Sequence, residues 1–149
     1  MKIRRALRED SKTISKLAYK SKAYWGYTEE FLEQCREDLT VKEEYIEENP
    51  VYVMEDNAKI IAFYSFSLDE KKLEALFIDP EYIGRGLGRM LWSDLMRRAK
   101  QLHFKEFTID SDPYAEAFYT KMGAQKIGVI PSTVFPERFL SLMNVKVLS

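Results

Sequence analysis

Three of the 6 glycines in this sequence fall at Gly84, Gly86 and Gly88, with Arg85 inside the run and Arg89 just after it. Alternating glycines let a chain turn tightly and point successive backbone N–H groups outward, and a helix beginning there adds its unpaired first-turn donors and the positive end of its dipole. That combination suits a pyrophosphate or a similar anion, and two arginines add charge-assisted hydrogen bonds to further oxygens. A P-loop would need a lysine and a hydroxyl after the last glycine, and a dinucleotide fingerprint would need Gly-x-Gly-x-x-Gly; the spacing here is Gly-x-Gly-x-Gly. Taken alone, the triplet is equally a tight strand-to-helix turn that holds nothing.

The elements around it can be read from periodicity. Leu73–Ile78 reads as the strand before the turn, and Gly86 or Leu87 to Leu102 as the helix after it, with Leu87, Met90, Leu91 and Leu95 on one face. Upstream, Lys2–Leu7 suits an edge strand. A helix starting at Arg8 or Glu9 carries Ile14, Leu17, Ala18 and Ser21 on one face and ends before Tyr24. Thr28 predicts the N-cap of a second helix, and Thr40 that of a third over Val41–Glu48, stopped by Asn49-Pro50. Val51–Met54 and Lys59–Leu68 are strands, separated by a turn at Glu55-Asp56-Asn57, and with Leu73–Ile78 they predict an antiparallel meander. Further on come a strand at Lys105–Ile109, a helix over Pro113–Met122 closed by Gly123, and strands at Ala124–Ile130 and Phe139–Leu148. Strand, helix, strand in this half demands a crossover, so the expected fold is mixed α/β (α+β): a mainly antiparallel sheet with a parallel pair, flanked by helices.

At 149 residues the chain is expected to be a single domain over 1–149. Its 23 basic and 24 acidic residues leave a net charge of −1, which removes the global attraction of a nucleic-acid or anionic-membrane binder. Charge is nonetheless uneven: Thr28–Glu48 holds nine acids and two bases, and Arg85–Lys105 six bases and one acid. The acidic run reads as a solvated face and is given no site role. Cys35 is the only cysteine, so no internal disulfide, zinc cluster or iron–sulfur site can be built on thiolates, and no metal is expected. With no signal peptide or apolar span in the sequence, a cytoplasmic location is expected.

Pro80-Glu81-Tyr82-Ile83-Gly84-Arg85-Gly86-Leu87-Gly88-Arg89-Met90-Leu91, preceded by Leu76-Phe77-Ile78-Asp79, resembles the acetyl-CoA motif of the GNAT N-acetyltransferases, Gln/Arg-x-x-Gly-x-Gly/Ala, with Ile83 where Gln or Arg is usual. A second stretch, Asp112 to Ala124, is similar to the family's Asn-x-x-Ala-x-x-Leu/Phe-Tyr-x-x-x-Gly-Phe/Ala, with Asp112 replacing Asn. Two motifs in order, together with the element order, carry the resemblance along the chain.

The resemblance implies a fold in which the strand before the glycine turn splays from its parallel neighbour. It implies acetyl-CoA (CoA) as cofactor, with Leu76, Phe77 and Ile78 offering main-chain groups to the pantetheine arm and Ile83, Gly84, Arg85, Gly86, Leu87, Gly88 and Arg89 lining the pyrophosphate turn. Asp112, Ala115 and Tyr119 complete the cofactor side. Tyr119 falls where the family carries a general acid for the departing thiolate; without the motif it reads as a core tyrosine. An attacking amine must be neutral, so a base is needed, and Glu74 is the candidate with Asp110 in reserve; a solvent-facing strand glutamate is the plainer reading. Asp112 reads most simply as a helix N-cap before Pro113. Tyr24, Trp25 and Tyr27 fall where the family builds its acceptor pocket, although helix-to-sheet packing accounts for them equally. His103 reads as a helix-end residue, and Cys35 has no base beside it in sequence. The implied activity is direct transfer of an acetyl group to a primary amine of a small molecule or peptide through a ternary complex. A homodimer is compatible with this, and the alternative is a catalytically idle CoA-binding or regulatory module.

Overall fold

The computed structural model describes residues 1–148. Strands β2 (Val51–Asp56), β3 (Lys59–Ser67) and β4 (Lys72–Ile78) form the expected antiparallel meander, with β1 (Lys2–Arg5) antiparallel to β2 at the sheet edge. The β2–β3 turn sits at Asn57 and Ala58, both left-handed (φ 50° and 66°), which matches the twist of a two-residue hairpin and lets β2 run to Asp56. β5 (Glu106–Ser111) follows the crossover, and β6 (Gln125–Pro131) and β7 (Phe139–Lys146) pair antiparallel. The resulting order is β1-β2-β3-β4-β5-β7-β6, so β7 inserts between β5 and β6. β4 and β5 are the one parallel neighbouring pair in this seven-stranded sheet.

Side-chain alternation along β2 and β3 divides the interior in two. Val51, Val53 and Phe63 pack with helices α1 (Ser11–Ala23), α2 (Glu29–Leu39) and α3 (Glu43–Glu48). Met54, Ala62, Tyr64 and Phe66 pack instead with α4 (Leu87–Gln101) and α5 (Glu116–Lys121). The predicted face of α1 is the buried one, Ile14, Leu17, Ala18 and Ser21. α4 is further tied to the sheet by the Tyr64 hydroxyl, which donates to Asp94 Oδ2 at 2.6 Å inside the core.

Several expected boundaries move. Thr28 caps α2 as predicted, its hydroxyl oxygen accepting from the Phe31 N–H at 3.1 Å. Thr40 caps the end of α2 and not the start of α3: its hydroxyl donates back to the Arg36 carbonyl at 2.8 Å, and α3 starts only at Glu43 after Lys42. Met90 lies 47% exposed, because the buried stripe of α4 follows Leu87, Leu91, Trp92, Leu95 and Ala99. α5 begins at Glu116 rather than Pro113, with Ala115 at its N-cap; the Asp112 carboxylate does accept from the Tyr114 N–H, but what it caps is a turn ahead of the helix. At the end of α4, His103 takes the left-handed position (φ 61°) and the Phe104 N–H closes onto the Ala99 carbonyl.

Candidate active site

The parallel pair β4 and β5 meets in register only at Lys72 and Thr108; beyond that point the described residues show no further β4–β5 partners. On its other edge β4 stays paired with β3 through Ile78. Leu76, Phe77 and Ile78 therefore turn one row of main-chain groups into an open cleft, and such groups require a partner. The cleft leads to Asp79, whose carboxylate accepts from the Glu81 N–H at 3.0 Å, and then to the glycine turn. The structure thus shows both the splay and the junction that the sequence led us to expect.

Within the turn the three glycines do different things. Gly84 (φ 86°) and Gly86 (φ 77°) are left-handed, and a Cβ on either would meet nothing within 4 Å, so the backbone there is bare and accessible. Gly86 is also the N-cap of α4. Gly88 is already helical, and a Cβ on it would lie 2.9 Å from the Phe118 ring. Its smallness serves the packing of α4 against α5. Ile83, Arg85 and Arg89 are exposed around the turn, with the Arg85 guanidinium 4.8 Å from the Tyr82 ring centre, while Leu87 is buried beneath it.

Tyr119 stands on α5, 6% exposed, among Trp92 and Phe118, and its N–H bonds the Ala115 carbonyl at 3.1 Å. Burial pushes its phenol well above the usual tyrosine range, and the negative charge of Asp112 adds to this. The phenol is therefore protonated at any ordinary pH. Cys35 is buried, and its thiol is likewise pushed up by burial, the opposite of an activated nucleophile.

Glu74 owes its place to a bulge. Leu73 pairs with Phe66 and Ala75 with Ser65, leaving Glu74 without a partner in β3. Consequently Glu74 and Ala75, although consecutive, both face one groove of about 620 Å³ that also takes in Glu37, Asp38, Phe63 and Phe77. Desolvation in the groove raises the Glu74 carboxyl above its ordinary value, and Glu70 pushes the same way against Lys72. Asp110 lies nearby, bonded to Lys72 at 2.7 Å through Oδ2, while its Oδ1 is buried without a partner. A second depression, of about 650 Å³, lies between the end of α4 and the end of β7 and touches neither the turn nor the cleft.

Asp112 stands just past β5, where four segments converge. It accepts from the Tyr114 N–H at 3.1 Å, pairs with Lys22 of α1, and takes the Tyr27 hydroxyl at 3.0 Å. Burial alone would raise its carboxyl; Lys22 outweighs that, with the Tyr114 N–H and Tyr27 helping, and holds it below the usual carboxylate range. Tyr27 is pushed up to about 12 by burial and by the Asp112 charge. Of the three expected aromatics, Tyr27 joins this cluster and stacks on Phe31 at 4.3 Å, Trp25 stacks on Tyr114 at 5.1 Å, and Tyr24 meets Trp25 edge-on and stays outermost. None of the three lines the groove; the link toward it runs from Tyr27 through Phe31 to Phe135 in the β6–β7 loop, at 4.7 Å, next to the groove's Val134. Sequence reading missed Lys22 and Arg138, which come from opposite ends of the chain and carry no local signature.

A sequence profile described as Acetyltransferase (GNAT) domain matches residues 10–130. The uncharacterized protein YdhI of Bacillus subtilis (strain 168) is 30% identical over 88 residues, 57% of this chain and 55% of that protein, so the match spans about half the length of this curated relative. Among solved structures, a GCN5-related N-acetyltransferase from Rhodopseudomonas palustris superposes with a TM-score of 0.82 at 18% identity, over 97% of this chain and 94% of that one. The PaiA N-acetyltransferase from Thermoplasma acidophilum, solved in complex with coenzyme A, gives 0.78 at 20% identity over 97% and 98%. At these identities the likeness is one of fold.

Proposed function

The chain belongs to the GNAT acetyltransferase family, and from that premise we propose that it is an acetyl-CoA-dependent N-acetyltransferase, a single catalytic domain that acetylates a primary amine directly in a ternary complex. The observation that carries this reading is the opening of β4 from β5 after Lys72, ending in a turn where Gly84 and Gly86 leave the backbone bare. These features fit the cofactor: an unpaired strand edge suits an amide-rich arm, and a bare N–H turn at the start of a fifteen-residue helix suits a pyrophosphate.

Bound acetyl-CoA supplies an activated acetyl thioester. Main-chain groups of Leu76, Phe77 and Ile78 would hold and orient the arm, and a main-chain N–H on Leu73–Ile78 would be the hydrogen-bond donor to its thioester oxygen. Tyr119, kept protonated by burial, holds a proton at its hydroxyl for the departing thiolate. Glu74, aimed into the groove by the bulge, accepts the proton that the amine must lose, directly or through water. Gly84, Arg85, Gly86 and Arg89 bind the phosphates, Asp112 and Ala115 border the arm, and the aromatic side with Tyr24, Trp25 and Tyr27 borders the acceptor. The test is thiol release from acetyl-CoA across a panel of primary amines. Acceptor-dependent release is expected; tight CoA binding with no turnover on any amine would make the chain a CoA-binding module instead.

A further inference from the structure

Arg138 and Lys22 are used by nothing in the proposed chemistry, yet both are largely buried beside it. Arg138 Nη2 donates to the Tyr27 hydroxyl oxygen at 3.1 Å and lies 3.5 Å from Asp112 Oδ2, the carboxylate that also holds Lys22. The side chains of Lys22, Asp112 and Arg138 are 16%, 23% and 26% exposed. Both cations rest against the same two rings: the Lys22 ammonium is 4.9 Å from the Tyr27 centre and 5.8 Å from that of Phe31, and the Arg138 guanidinium 5.6 Å and 5.3 Å. Two positive charges thus face one carboxylate, which already takes the Tyr27 hydroxyl and the Tyr114 N–H besides. One positive charge is left over in a half-dry aromatic setting, where a second anion is favoured.

The same short loop that ends at Arg138 carries Thr133 and Val134 into the groove of Glu37, Asp38 and Glu74. Along α2, Phe31 beneath the cations and Asp38 in the groove are separated by two turns of helix, roughly 10 Å at about 1.5 Å per residue. The acceptor side is therefore positive at one end and negative at the other. A polyamine would meet repulsion at Lys22 and Arg138, and a simple alkylamine would leave that end unmatched. Building on the transferase reading above, we propose that the acceptor is an aminocarboxylate, its amine directed toward the Glu74 end and its carboxylate bound by Lys22 and Arg138.

Calorimetric titration of the CoA-saturated protein with ω-aminocarboxylates from glycine to 6-aminohexanoate and with lysine, each against the alkylamine and diamine of equal length, tests this. At least one aminocarboxylate is expected to bind about 10- to 100-fold tighter than its matched amines, the range for a charge-assisted contact. Arg138→Met should erase that preference, and Arg138→Lys, which keeps the charge, should retain part of it. Amines or diamines that bind as tightly as the matched acids overturn the inference in the wild-type protein alone. So does a preference that survives Arg138→Met, or the absence of any aminocarboxylate binding in the millimolar range. Aminocarboxylate binding with this preference, together with no turnover on any amine, would defeat the transferase reading and leave the aminocarboxylate site standing; a transferase that prefers diamines would do the reverse.

Discussion

The two sides of the β4–β5 cleft are built from different materials. On the glycine-turn side the groups that the proposed chemistry uses are mostly main chain, an open strand edge, two left-handed glycines and a helix N-terminus, with Arg85 and Arg89 added at the surface. On the opposite side the proposed groups are charged and aromatic side chains, Lys22, Tyr27 and Arg138 with Glu74 in the neighbouring groove, drawn from α1, the α1–α2 loop, the β6–β7 loop and β4, and Asp112 at the end of β5 joins the first three to the cofactor side. A main-chain site accepts one ligand scaffold and tolerates substitution of most side chains around it. A side-chain site can be retuned residue by residue, which suits the variable partner of a conserved donor.

If that division is right, the strongest effect of removing one side-chain group should fall where the two sides meet. Tyr119→Phe keeps the ring among Trp92 and Phe118 and removes only the hydroxyl. Steady-state kinetics should show kcat reduced by about 10²- to 10⁴-fold, with acetyl-CoA affinity nearly unchanged. A wild-type kcat with chemistry rate-limiting would make the phenol a packing group.

The glycines sharpen the comparison from the other direction. Gly88→Ala places a Cβ against the Phe118 ring at 2.9 Å and should cost about 1–3 kcal/mol in chemical denaturation. Pairing it with Phe118→Leu should recover part of that loss, because the two changes share one contact. Losses of the two single variants that simply add in the double variant would show that Gly88 is small for some reason other than packing against Phe118.

The side-chain region should reveal itself through pH. The Asp112 carboxyl is held below its ordinary value, so its contribution to stability is present above the unfolded value near 3.8 and is lost as pH falls through the lower, folded one. Asp112→Asn should therefore be less stable than wild type at neutral pH by on the order of 1 kcal/mol, and the gap in Tm should close in acid. The same substitution leaves Lys22 and Arg138 without their carboxylate. A gap that stays constant down to pH 2 would remove the ion pairs from the account.

What the sequence made legible follows the same division. The glycine turn, its flanking strand and helix, and the Tyr119 stretch are continuous in sequence, so spacing and resemblance find them. Thr28 was readable as a cap because its hydroxyl oxygen has only local donors to meet. Thr40 and Pro113 look like equally good helix starts, but the Thr40 hydroxyl turns back to the Arg36 carbonyl of the preceding helix, and the Asp112 carboxylate caps only the Tyr114 N–H while it is shared with Lys22 and Tyr27. The bulge at Glu74 exists only as a mismatch between two strands, and the Lys22–Asp112–Arg138 cluster joins residues 90 and 26 positions apart. No window along the chain contains either.

The central claim is that the glycine turn is a backbone cradle for CoA, and thermal unfolding with and without CoA tests it most directly. A ligand bound only by the native state raises stability by RT ln(1 + [L]/Kd), so wild-type Tm should climb with CoA concentration. Gly86→Val, which puts a β-branched side chain at φ 77° on the bare face of the turn, should fold with its Tm independent of CoA. A folded Gly86→Val protein whose Tm still rises with CoA as in wild type would contradict the account.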